Sequence, residues 1–213
     1  MGRRALKKSD PNLDLSGHLV SVEQLLAPAD CEELFGRTAL LEVEVGSGKG
    51  LFLATAAAAD PQRDFLGIEV SGKYARHIAG RLAFRAVGNA RVVHGDASRV
   101  FGQWLAPRSV AAVHIYFPDP WWKKRHHKRR IMNAPFLRRV AEVLSADGAL
   151  HFWTDVREYF ERSLGILAEI AAFEGPLDVA ERPAEHDLDY RTHFERRTRR
   201  HALPVYRAEY RRR

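Results

Sequence analysis

From about position 40 the chain alternates between two hydrophobic periods. Residues 39–45 (ALLEVEV) form a β-branched apolar run that stops at glycines, and the LFLATAAAA that follows is a strong helix former. A second short strand is expected over 65–69 (FLGIE), helical spacing over 73–87, and a third strand over 91–94 ending at Gly95-Asp96. Residues 110–116 (VAAVHIY) are apolar almost throughout, as in a central strand covered on both faces. An irregular, proline-bearing loop follows (FPDPWWKKRHHKRR), then a helix over 135–144, a fifth strand over 149–154 and a helix over 156–172. Residues 204–210 (PVYRAEY) alternate and read as a closing edge strand, antiparallel to the rest. Strand alternating with helix predicts an α/β fold, a mostly parallel sheet with helices on both faces.

Length adds one constraint. The 213 residues suit a single domain over 19–213, preceded by a polar, flexible basic arm over 1–18. The lone Cys31 excludes an internal disulfide. No apolar stretch reaches the ~18 residues of a membrane span. The basic start MGRRALKKSD has no apolar segment behind it, and Leu6 stands where a myristoylation site needs Ser or Thr. A cytoplasmic protein without a membrane partner is expected. Net charge is +7, with Lys and Arg concentrated at 3–8, 123–130, 196–200 and 207–213, which favours a polyanionic partner.

In parallel sheets ligands bind beyond the carboxyl ends of the strands. The loop after the first expected strand reads Glu44-Val45-Gly46-Ser47-Gly48-Lys49-Gly50. A Walker loop needs Gly at 43 and Ser or Thr at 50, where Val43 and Gly50 stand, and a dinucleotide fingerprint needs Gly at 51, where Leu51 stands. What remains, an acid followed by Gly-x-Gly-x-Gly, resembles motif I of the class I methyltransferases. A carboxylate at Glu44 suits the ammonium and sulfonium of S-adenosyl-L-methionine better than a phosphate. Glu69 is placed to accept from ribose hydroxyls and Asp96 from the adenine amino group. Each acid alone reads as a solvated strand end; three at successive strand ends, with the glycine loop, favour a cofactor cleft.

The loop after the fourth strand faces the methyl group in such a sheet. Its aromatics and prolines can stack on a nucleobase, worth about 1–3 kcal/mol per base. Six Lys or Arg within 123–130 can neutralise phosphates, although a basic run is by default a solvated face. Taken whole, FPDPWWKKRHHKRR, with GIE at 67–69, TD at 154–155, THFERR at 192–197 and PVYRAE at 204–209, resembles the bacterial tRNA (guanine-N7-)-methyltransferase family over about 40–210.

That resemblance implies a Rossmann-like class I methyltransferase fold. It also implies S-adenosyl-L-methionine as cofactor and tRNA as partner, with a variable-loop guanosine as target. Glu44, Gly46, Gly48, Gly50, Glu69, Asp96 and Asp119 would hold the cofactor, with Asp119 also at the reaction centre. Lys123, Asp155, Thr192, His193, Phe194 and Glu195 would contact the substrate guanosine. Guanine N7 has a lone pair and no proton, so alignment rather than a strong base is expected to carry the rate. Asp155 and Glu195 would accept from the N1–H and N2–H₂ donors that adenine lacks. Arg196, Arg197, Arg199 and Arg200 could grip neighbouring phosphates or form a solvated helix face.

Two rivals stay open: methylation of an exocyclic amine, and a nucleic-acid-binding module without activity. His18, His94, His114, His126, His127 and His151 lack ligand spacing, so no metal is expected. Monomer and homodimer are both compatible with the sequence.

Overall fold

The computed structural model describes residues 6, 13–25, 31–181, 183–186 and 189–213. The expected arm over 1–18 lies outside these apart from Leu6 and 13–18. Among the described residues eight strands form one sheet: β1 (Leu19–Ser21), β2 (Leu40–Val45), β3 (Arg63–Glu69), β4 (Ala90–His94), β5 (Val110–Tyr116), β6 (Leu144–Thr154), β7 (Phe173–Leu177) and β8 (Tyr206–Arg212). They lie in the order β1-β4-β3-β2-β5-β6-β8-β7. Neighbours from β1 to β6 pair in parallel, and β8 runs antiparallel to both β6 and β7.

The expected closing strand is therefore not the edge. Ala208 and Tyr210 of β8 are buried at 0% and 2% exposure, and its main chain is paired on both sides. The edge falls to β7, whose residues after Phe173 are exposed; the helical spacing over 156–172 gives no sign of a strand directly behind it. The chain order reverses between β2 and β5, which opens the ligand crevice at their carboxyl ends.

A short α1 (Cys31–Phe35) precedes β2. One face of the sheet is covered by α2 (Leu51–Ala59) and α3 (Gly72–Phe84), which bury Leu53, Ala57, Ile78 and Leu82 against Phe65 and Val92. The other face receives α4 (Ala97–Arg99) with the π-helical turn Val100–Trp104, then α5 (Ala134–Val143) and α6 (Arg157–Ala168). Asn133 starts α5: its side chain accepts from the Phe136 N–H at 3.0 Å, and Pro135 sits in the first turn, where its missing N–H costs nothing. Phe136, Leu137 and Val140 then meet Val113, Ile115 and Phe152 of the sheet.

Towards β8 the α2-side face changes character. His114, His151 and Glu209 are direct cross-strand partners. The two imidazoles stack at 4.8 Å, and His151 Nδ1 lies 3.2 Å from Glu209. His114 also bridges Glu42 at 2.8 Å and the Tyr116 hydroxyl at 2.9 Å, with Phe52 of α2 lying over its ring at 4.5 Å. Burial holds both imidazoles below their ordinary range despite these acids, His151 down to about 2.

Candidate active site

The glycine loop leaves β2 through backbone that side chains resist. Gly46, Gly48 and Gly50 have φ of 77°, 54° and 64°. Gly50 has a second constraint, because a Cβ there would stand 2.9 Å from Ile78 of α3. The loop is tied to the next strand: the Gly46 N–H donates to the Ile68 carbonyl at 2.9 Å, and the Gly48 N–H to Glu69 Oε2 at 2.8 Å. Glu69 Oε1 accepts from the Ser71 N–H at 2.9 Å, so this buried carboxylate braces the cleft floor from both oxygens.

Glu44 is different. It is 3% exposed, and neither its Oε2 nor the nearby Ser47 hydroxyl has a hydrogen-bond partner. Burial raises its carboxyl pKa to about 8, and the Glu69 charge adds to the rise. A buried carboxyl with an orphaned oxygen beside a glycine cradle fits a small organic cation. S-adenosyl-L-methionine carries one, so the residues present fit this cofactor. Asp96, at the end of β4, is exposed and caps α4 by accepting from the Ser98 N–H at 2.7 Å.

The loop after β5 is held rigidly although it is irregular. Phe117 and Trp121 both take positive φ, 50° and 45°, around Pro118-Asp119-Pro120, a strained backbone that persists only where its surroundings impose it. The Phe117 N–H donates to the Trp153 carbonyl at 2.7 Å. Arg130, 5% exposed, donates from Nε to the Pro120 carbonyl at 2.6 Å and lies 5.0 Å over the Tyr159 ring. The Arg129 guanidinium covers Trp121 at 5.0 Å. Asp119 itself is exposed, as are Trp122 and Lys123, which precedes the 3₁₀ turn Lys124–Arg129.

The THFERR segment forms the start of α7 (His193–Arg200). Thr192 is its N-cap, accepting from the Glu195 N–H at 3.0 Å, and Glu195 Oε2 accepts in return from the Arg191 N–H at 2.7 Å. Glu195 is 2% exposed, and its Oε1 pairs with Arg199 at 3.3 Å and Arg207 at 3.5 Å. Its carboxylate is thus occupied inside the protein. Phe194 packs on Phe117 at 4.9 Å, joining α7 to the β5 loop, and His193 Nε2 lies 3.5 Å from Arg81 of α3. Asp155 and Phe194 line one cavity of about 260 Å³ with Arg197, Thr198, His201 and Leu203.

The fold therefore brings Glu44, the glycines and Glu69 into one cleft. It also brings Asp155 and Phe194 into one pocket, joined through Phe117 to the loop that bears Asp119. Sequence reasoning does not single out Ser47, Arg81, Arg130 or Arg191. Arg191 covers Phe52 at 5.7 Å and Trp153 at 6.0 Å. Among the described residues no group of three His, Cys, Asp or Glu side chains could hold a metal ion, and no helix is long and apolar enough to cross a membrane.

A family profile described as "Putative methyltransferase" matches residues 38–208. The tRNA (guanine-N(7)-)-methyltransferase of Rhodopirellula baltica is 47% identical over 219 residues, covering 100% of this chain and 81% of the relative. The chain belongs to the tRNA (guanine-N7-)-methyltransferase family. A relative of the same name from Sodalis glossinidius is 38% identical over 92% of this chain and 82% of its own. Among solved structures, the 16S rRNA methyltransferase KamB superposes with a TM-score of 0.61 at 16% identity, over 88% of this chain and 95% of that one. A SAM-dependent O-methyltransferase from Thermotoga maritima gives 0.54 at 14% identity, over 83% and 60%. These two establish the Rossmann-like class I methyltransferase fold for this member of the family.

Proposed function

We propose that this chain transfers a methyl group from S-adenosyl-L-methionine to N7 of a guanosine in tRNA, in the variable loop, and works in the cytoplasm as a monomer or homodimer. The observation that carries the reading is full-length identity of 47% to a relative of that name. The buried Glu44 carboxyl beside the glycine loop, whose Oε2 has no hydrogen-bond partner, supports it independently.

Bound in the cleft, the cofactor supplies an electrophilic methyl on a sulfonium. Glu44 holds its ammonium, and Gly46, Gly48 and Gly50 let the backbone approach closely. Each carboxylate oxygen has a second lone pair, so Glu69 can accept from ribose hydroxyls while bracing the loop, and Asp96 can accept from the adenine amino group while capping α4. Asp119 orients the base or the cofactor amino group. N7 brings its own lone pair and loses no proton, so Asp119 needs no proton-transfer role. Asp155 accepts from the guanine Watson–Crick edge, Phe194 supplies an apolar wall beside it, and Lys123 meets the nucleotide's phosphate. Thr192 and Glu195 act from behind: they fix the start of α7 and so the positions of His193 and Phe194. Alignment and exclusion of water supply the acceleration.

The test uses purified protein, radiolabelled cofactor and unmodified bulk tRNA, followed by digestion to nucleosides. Label in 7-methylguanosine is expected. Label in an N-methylated amine would keep the fold and cofactor and overturn the target atom. Failure to bind the cofactor would leave a binding module without activity.

A further inference from the structure

Two tryptophans stand side by side in the β5 loop, and their surroundings differ. Trp121 is half-buried: the Arg129 guanidinium lies over its ring at 5.0 Å, and the His126 imidazole meets it edge-on at 5.7 Å. Its indole is engaged within the loop itself. Trp122, the next residue, is 68% exposed.

The backbone that carries Trp122 is fixed. Pro118 and Pro120 lock their own φ, and Phe117 and Trp121 are held at φ of 50° and 45°. The Phe117 N–H is anchored on the Trp153 carbonyl at 2.7 Å, and Arg130 Nε on the Pro120 carbonyl at 2.6 Å. This backbone is ordered before any ligand arrives, so a surface that stacks on the indole has only one side chain to immobilise.

The neighbours of Trp122 indicate what that surface is. Asp119 lies three residues back, at most about 10 Å of chain, and Lys123 and the turn Lys124–Arg129 follow directly. The centre of a protein–protein contact is depleted of charged side chains. An aromatic face set among Lys and Arg is instead the way single-stranded nucleic acid is held. The reaction supplies the vacancy: a guanosine turned out to meet the methyl leaves the base beside it without a stacking face.

We infer that Trp122 stacks on the nucleobase next to the target guanosine, while Trp121 serves as a strut of the loop. This rests on the tRNA reading above. The contact carries little sequence preference, because every base has a π-face. It places the neighbouring nucleotide within one short loop of Asp119, and so sets where the turned-out guanosine can go.

The test uses the full chain and two unmodified tRNA transcripts, with 2-aminopurine replacing the nucleotide on one or the other side of the target guanosine. Affinity is measured between about 50 and 200 mM salt, with cofactor binding in parallel. In Trp122→Ala, tRNA affinity should fall about tenfold at every salt concentration. The slope of log K against log salt should stay as in the wild type, since no phosphate contact is lost, and cofactor affinity should not change. Trp122→Phe should keep most of the affinity, whereas Trp122→Leu, apolar but without a flat ring, should behave as the alanine variant does. One of the two aminopurines should be dim in the wild-type complex and bright in the Trp122→Ala complex. A folded Trp122→Ala protein with wild-type tRNA affinity overturns the assignment, and so does a flattened salt slope. A change of oligomeric state in Trp122→Ala, with tRNA affinity kept, also overturns it and makes the indole a contact between copies of the chain. If Trp122→Ala does not fold, the Phe and Leu variants decide: equal affinity in both overturns stacking. A wild-type chain that binds no tRNA at all would instead remove the functional reading itself.

Discussion

A carboxyl group that holds its proton near neutral pH changes what cofactor binding must do. Glu44 is neutral below about 8 in the free protein, and a bound ammonium favours its anion. Binding of S-adenosyl-L-methionine should therefore release a proton. Calorimetry at pH 7 in buffers of different ionisation enthalpy should detect it, and Glu44→Gln should abolish the release and weaken binding by roughly tenfold, the worth of about 1.4 kcal/mol. Identical heats in all buffers would remove Glu44 from the ammonium. Asp119 makes a different prediction, because it is exposed and sits between two strained residues without bracing anything. Asp119→Ala should melt as the wild type does and lose roughly a hundredfold in kcat, the scale of a misplaced reactant. Near-normal turnover would show that the base is oriented by other groups.

At the scale of elements, the β5 loop and α7 form the working surface, and each is fixed by a residue that its own sequence disguises. Arg130 closes a basic run yet is buried under the loop, donating to the Pro120 carbonyl. Arg130→Ala should lower stability by about 1.5–3 kcal/mol, the worth of a charged hydrogen bond. It should lower kcat while leaving the salt slope of tRNA binding unchanged. A flattened slope with normal kcat would make Arg130 a phosphate contact after all. Nothing in the string KKRHHKRR separates its buried member from its solvated ones, since composition is the same either way. Glu195 is hidden for a related reason: Thr-x-x-Glu is a capping pattern as well as a family motif, and only the approach of Arg199 and Arg207 shows where its carboxylate is occupied. By contrast β5 is legible because a strand covered on both faces reads as an almost unbroken apolar run, and β2 and β3 because their short apolar stretches stop at glycines or an acid. The acids at their ends mark the cleft for the same reason. β1 has three residues and β7 (FEGPL) carries no alternation, and the place of β8 depends on pairing partners that local pattern does not encode.

At the scale of the molecule, the two halves of the sheet respond differently to pH. Where α2 and α3 cover β3 and β4 the core is apolar, whereas towards β8 it contains stacked imidazoles between acids. Both imidazoles have folded pKa values below the unfolded value of 6.5, so the unfolded chain binds more protons as pH falls. Stability from this region is complete above about 6.5 and declines as pH drops towards the folded values. Between pH 6.5 and 5 the loss should be on the order of 2 kcal/mol for His151 alone. Urea unfolding at the two pH values should show it, and His151→Phe should flatten the profile; an equally steep profile in that variant would place the pH sensitivity elsewhere. The same row of side chains constrains how the sequence can drift. Glu42, His114, His151 and Glu209 are joined in series, so replacing one strands the partner on each side of it in a half-dry interior. Viable replacements must then arrive in compensating pairs, and relatives that have lost one of these four residues are expected to have exchanged a neighbour as well.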